Sequence, residues 1–130
     1  MEFPNNLKYT ENDEWIRVEG DTGTAGISDF AQDQLSDVVY VEITVAIGDE
    51  VEKGEAFALV ESVKAAADVY MPVTGKITEV NESLIDTPEL VNSDPYGEAW
   101  MVKFELSDPS QLDDLLGVED YVKSVEERSN

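Results

Sequence analysis

The sequence predicts a mainly β protein, a compact sandwich or flattened barrel of antiparallel strands with small helices at its periphery. Three observations carry that prediction. Short runs rich in Val, Ile, Tyr and Trp recur between residues 15 and 106, Gly and Pro punctuate them at close intervals, and a helical period surfaces only near residue 30 and after residue 108. A chain of 130 residues with 42% hydrophobic content allows one domain, 1–130, with its β core at about 7–106 and a helical region at about 108–128.

Taken in order, Trp15 to Glu19 and Thr22 to Ser28 flank Gly20-Asp21 and predict a hairpin, with Gly23 and Gly26 read as turn residues. At Asp29 the period changes. Asp29 and Gln32 have capping-box spacing, and Phe30, Ala31 and Leu35 share one face of a short helix ending near Ser36. Asp37 to Val45 is the strongest strand run, turned by Gly48-Asp49. Ala56 to Val63 and Ala67 to Met71 form a second pair, followed by the Pro72-Val73-Thr74-Gly75 turn. Lys76 to Val80 and Trp100 to Leu106 alternate as strands, and Asn81 to Ala99 between them reads as loop. Asp108 caps Pro109 with Gln111 completing a box, and Gly117 separates that helix from an amphipathic run carrying Val118, Tyr121, Val122 and Val125.

Charge narrows the function. Thirty Asp and Glu oppose eight Lys and Arg, a net charge of −22, so the protein's field repels nucleic acid and anionic membrane surfaces alike. With no Cys and no His, the chain has no thiolate, no imidazole base and no ligand for the usual zinc, haem or iron–sulfur centres. Chemistry must come from carboxylates, Lys, Tyr or a bound cofactor. After Met1 there is no basic and apolar leader, which reads as a cytoplasmic protein, and no apolar run reaches the roughly 18 residues of a membrane span. The acid excess is the composition expected of a chain adapted to a high-salt cytosol, where screening reduces self-repulsion. The glycine-rich run from Gly20 to Gly26 lacks the spacing of a phosphate loop, and no calcium-loop pattern is present.

Against so few cations Lys64 stands out. It is the only basic residue between Lys53 and Lys76, lying ten residues after Gly54 and eleven before Gly75, which puts it at the tip of a hairpin beside Ala65 and Ala66. A solitary lysine on a rigid turn suits covalent attachment of a swinging prosthetic group; an ordinary surface lysine fits the spacing as well.

Glu61-Ser62-Val63-Lys64-Ala65, followed by Asp68 to Gly75 and Glu79-Val80-Asn81, resembles the lipoyl-attachment region of the glycine cleavage system H protein family. The resemblance extends from Leu7 to the C-terminal helices. Leu7-Lys8-Tyr9-Thr10 with Glu14-Trp15, Gly26-Ile27-Ser28 with Ala31-Gln32, Pro88 to Asn92, and Asp94-Pro95-Tyr96-Gly97 with Trp100 are similar to family blocks in family order.

That resemblance implies a lipoyl/biotinyl-domain-like fold of two antiparallel sheets and lipoate joined by an amide to Lys64. The implied role is carriage rather than catalysis. The glycine decarboxylase (P protein) would load an aminomethyl group onto the lipoyl sulfur, the tetrahydrofolate-dependent aminomethyltransferase (T protein) would take it up, and dihydrolipoamide dehydrogenase (L protein) would reoxidise the dithiol. The missing Cys and His are then no handicap, because the sulfur chemistry is the cofactor's. Glu61 and Gly48 match positions that a lipoate-attaching enzyme reads, and Glu14 and Asp68 match acidic residues of the cleft that receives the loaded arm, where a carboxylate would hold a cationic amine. Each also reads as an ordinary residue: Glu61 as a solvated strand residue, Gly48 as a turn glycine, Glu14 and Asp68 as two of 30 acids.

Asp13 replaces a common family His and Ser36 a frequent Gly, while Thr44 to Gly48 lacks a usual Pro and is one residue longer. Two other functions share the fold, a lipoyl carrier or lipoate relay for 2-oxoacid dehydrogenases and an unmodified binding module. A biotin carrier typically has Met where Val63 and Ala65 flank the lysine.

Overall fold

A computed structural model describes residues 1–128; Ser129 and Asn130, the last two residues of the expected 1–130 domain, lie outside the described residues. Its strands are β1 (Lys8–Tyr9), β2 (Glu14–Glu19), β3 (Thr22–Ile27), β4 (Val38–Ile43), β5 (Glu50–Val51), β6 (Ala56–Ser62), β7 (Ala66–Tyr70), β8 (Gly75–Val80) and β9 (Val102–Leu106). The helices are α1 (Asp29–Leu35), α2 (Ser83–Asp86), α3 (Leu90–Ser93) and α4 (Val118–Arg128), with a 3-10 turn at Pro109–Asp114. A six-stranded sheet runs β1-β2-β3-β9-β8-β5 and a three-stranded sheet runs β4-β6-β7, every pair antiparallel. The predicted mainly β, two-sheet architecture is what forms.

Alternation along the strands builds the main core. Ile16 and Ala25 face inward from β2 and β3, Val41, Phe57 and Val60 from β4 and β6, and Ile77, Val102 and Phe104 from β8 and β9. A second cluster joins Tyr9, Trp15, Phe30 and Tyr96 to Tyr121 and Val125, so that α4 is seated on the N-terminal strands and α1. Tyr9 and Tyr121 stack with ring centroids 4.4 Å apart.

Several sequence expectations change. Gly20 is a turn residue with φ +62°, but Gly23 and Gly26 lie inside β3. A Cβ on Gly23 would stand 2.7 Å from the Phe104 ring and one on Gly26 3.0 Å from the Trp15 indole, so both glycines make room for aromatics. The helix cap is Ser28, whose Oγ accepts from Ala31 N–H, rather than Asp29. Gln32 instead donates to Asp29 Oδ1 and accepts from Asn92 Nδ2.

In the tail, Asp108 does cap, but the following segment is a 3-10 turn, and Gln111 Oε1 accepts from Thr74 N–H rather than closing a box. The loop at 81–99 holds the short helices α2 and α3. Asn81 fixes its entry by donating to the carbonyls of Glu98 and Trp100, at 2.9 and 2.7 Å. The strongest apolar run, β4, is an edge strand with a bulge between Val38 and Tyr40, which leaves Val39 and Tyr40 exposed.

Candidate functional site

Lys64 sits where expected, on the turn between β6 and β7, and it is exposed. The turn is braced by a residue that sequence reasoning passed over. Ser62 Oγ accepts from Lys64 N–H (3.1 Å) and Ala65 N–H (3.0 Å) and donates to the Ala65 carbonyl (3.1 Å), while Ser62 N–H reaches the same carbonyl at 2.7 Å. Val63 N–H donates to the Asp37 carbonyl at 3.0 Å, which ties the turn to the approach of β4. The backbone under Lys64 is therefore fixed. Its ammonium takes part in neither of the ion pairs formed among the described residues, and the neighbouring Val63 side chain is 70% exposed. A serine two residues before a turn lysine was the available signal.

The hairpin stem continues into a cleft of about 200 Å³. Val60, Ala67 and Val69 form one wall, Ile27 and Leu35 another, and three carboxylates border it: Asp13 from the turn before β2, Glu14 from the start of β2, and Asp68 from β7. Glu14 and Asp68 are thus brought together across the interface between the two sheets. Neither Glu61 nor Gly48 lines this cleft. Glu61 is half-buried near the end of β6, in register with Tyr40 and Ala66. Gly48, with φ +96°, lies in the loop before β5, where its N–H donates to the Ile77 carbonyl of β8.

Glu14 is only 2% exposed. It accepts from the Thr10 hydroxyl and, at 3.3 Å, from the backbone N–H of Tyr70. Burial dominates over these bonds and, with the nearby Asp13 charge, pushes its carboxyl up to about 7. Thr10 is a second residue that sequence reasoning did not assign. Trp15 explains why Glu14 is held so firmly: its indole N–H donates to the Pro95 carbonyl at 3.0 Å, and Arg17 donates to the Tyr96 carbonyl at 2.8 Å. The Glu14-Trp15 and Asp94-Pro95-Tyr96 blocks, 80 residues apart, meet here.

The arrangement presents an uncrowded primary amine on a stiff turn and, along the same hairpin, an apolar cleft bordered by the carboxylates of Asp13, Glu14 and Asp68. It fits an amide-linked arm with an apolar chain and a cationic end. No cluster of metal-binding side chains occurs among the described residues, and no helix among them is long and apolar enough to cross a membrane.

Comparison with known proteins agrees with this geometry. A family profile described as glycine cleavage H-protein matches residues 7–128. The chain is 53% identical over 124 residues to the glycine cleavage system H protein of Carboxydothermus hydrogenoformans, covering 95% of each chain. It is 49% identical over 127 residues to that of Halothermothrix orenii, covering 98% of each. The crystal structure of a glycine cleavage system H protein from Mycobacterium marinum superposes with a TM-score of 0.84 at 31% identity, covering 93% of this chain and 97% of that one. Fold, lysine-bearing hairpin and sequence relatives converge, and the chain belongs to the glycine cleavage H-protein family.

Proposed function

We propose that this chain is the non-catalytic, lipoyl-bearing carrier of the glycine cleavage system, working in the cytoplasm. Lys64 takes lipoate in amide linkage from a lipoate-attaching enzyme. The aminomethyl group is carried from glycine decarboxylase, the P protein, to the tetrahydrofolate-dependent aminomethyltransferase, the T protein, and dihydrolipoamide dehydrogenase, the L protein, restores the oxidised arm. The observation that carries the reading is that one hairpin bears both the exposed Lys64 at its tip and, in its stem, Val60, Ala67 and Asp68 of the cleft that Glu14 closes.

When bound, lipoate supplies a disulfide that opens to two sulfurs, one to hold the one-carbon amine and one to complete the two-electron exchange. The protein's share is presentation and shelter. Ser62 holds the backbone of the tip so that Lys64 projects in one direction towards a modifying enzyme. Glu61, three residues before it, and Gly48, whose positive φ shapes the loop before β5, are the proposed recognition points of that enzyme. Amide formation removes the Lys64 charge and makes the protein one unit more negative.

Glu14 and Asp68 are the proposed partners of the cationic amine. An ammonium beside Glu14 favours its carboxylate, so a group that titrates near 7 when alone gives up its proton on loading. Ile27, Leu35 and Val69 exclude water from the same space.

The test is intact mass and peptide mapping after co-expression with a lipoate-attaching enzyme in lipoate-supplemented medium. One lipoyl group on the peptide containing Lys64 is expected, and folded protein left unmodified overturns the proposal. Lys64→Ala should abolish support of glycine–bicarbonate exchange by a P protein, while the melting temperature is unchanged.

A further inference from the structure

We infer that α4 is a strap that sets the wall and the charge of the arm cleft, and that Arg128, near the chain's end, is the positioning residue that holds it through Asp13. The inference rests on the carrier reading for its purpose, but its geometry stands independently. Asp13 takes φ +72°, a left-handed turn that Asp tolerates better than most residues. Its carboxylate receives a two-point contact from Arg128, Nη2 to Oδ1 at 2.7 Å and Nη1 to Oδ2 at 3.1 Å. The guanidinium also lies 5.1 Å from the centroid of the Phe30 ring on α1.

A chain of hydrogen bonds leads from this pair into the cleft wall. Tyr121 of α4 has one hydroxyl proton and gives it to Asp13 Oδ1 at 2.9 Å. Ser28 Oγ, 2.6 Å from that hydroxyl, is then its donor, and it accepts in turn from Ala31 N–H at 3.2 Å. The Asp13 carbonyl closes the loop by accepting from Ser28 N–H at 2.8 Å. Asp13 and Ala31 both line the cleft. Releasing α4 therefore frees the N-terminus of α1 and the turn that aims Glu14 together.

The charge consequence is equally direct. Three carboxylates border the cleft, but Arg128 pairs with Asp13 and offsets part of its charge, leaving Glu14 and Asp68 for a singly charged ammonium. Glu14 is faced by Asp13 from its own segment and by the backbone of Tyr70 beside Asp68 on β7. On its other side, a second cleft places Glu11 and the Lys53–Asp114 ion pair near it. Arg128 is the cation that reaches the Asp13 side.

The experiment uses the unlipoylated full chain, so that failure of lipoylation and failure of this inference are separate results. Arg128→Gln should raise the midpoint of the Glu14 carboxyl, followed by carbon NMR, by about half a pH unit, because the Asp13 charge is uncovered. It should also speed amide exchange roughly tenfold in both α4 and the first turn of α1. Asp13→Asn combined with Arg128→Gln should return the Glu14 midpoint to or below the parent value while exchange stays fast, an outcome that a purely structural role would not give. Arg128→Lys, which keeps the charge but loses the fork, should leave the midpoint near the parent and quicken exchange; it decides the matter if Arg128→Gln does not fold. An unchanged Glu14 midpoint in Arg128→Gln, or faster exchange confined to α4, overturns the inference.

Discussion

Glu14, the first residue of β2, accepts a hydrogen bond from the backbone N–H of Tyr70, the last residue of β7, at 3.3 Å across 56 residues of sequence. This contact spans the two sheets and joins the buried carboxylate to the strand that descends from Lys64. The carboxylate thus belongs to the lysine hairpin's surroundings as much as to its own strand.

That burial makes Glu14 a source of pH-dependent stability. Its pKa rises from 4.5 to about 7 on folding, so the stability linked to its proton is fully present below about pH 4.5 and is lost as pH rises through 7. Glu14→Gln cannot lose a proton. Its stability relative to the parent should therefore improve between about pH 4.5 and 7, by roughly 1.4 kcal/mol for each unit crossed and by a few kcal/mol in all, and level off above that. Urea unfolding at a series of pH values checks this, and parallel curves for the two proteins would contradict it.

Ser62 braces with its hydroxyl the turn that carries Lys64. Ser62→Ala removes three side-chain hydrogen bonds on an exposed turn, so the expected loss of stability is modest, about 1 kcal/mol or less because water replaces them. The rate at which a lipoate-attaching enzyme modifies Lys64 should fall several-fold, as the amine is presented in many directions. Single-turnover lipoylation read by mass measures it; an unchanged rate would show that the brace is irrelevant to presentation.

Ser36 has φ +65° and ψ −150°, a region nearly reserved for glycine and costing about 1–3 kcal/mol for other residues. Ser36→Gly should accordingly stabilise the protein by about 1 kcal/mol after the greater unfolded-state freedom of glycine is deducted. The midpoint of denaturant unfolding should move up, and a downward shift would contradict the strain.

The net charge of −22 repels itself wherever ions do not screen it. The melting temperature should rise steadily from low salt to molar KCl. A flat or falling dependence would mean that the acid surface brings no requirement for salt.

The longer strand runs, the helix at 29–35 and the lysine at a hairpin tip were determined by the sequence itself, because burial in a strand or helix imprints a local period that needs no partner to be seen, whereas the two-residue strands β1 and β5 are too short to show one. Five sequence blocks also sufficed to place Lys64, Glu14 and Asp68 in a family pattern. What those blocks do for one another was decided by packing. Gly23 and Gly26 are glycine because Phe104 and Trp15 lie against them, which no turn signal reveals.

Polar partners were the least legible part. Gln32 and Gln111 have capping-box spacing, yet Gln111 serves Thr74 at 37 residues' distance, and Gln32, besides donating to Asp29, accepts from Asn92 at 60, because folding brought these partners within reach. The raised pKa of Glu14 and the Asp13–Arg128 pair have the same origin. Desolvation and charge pairing act through space over a few ångströms, and only the tertiary structure decides which residues, 56 or 115 positions apart, share that space.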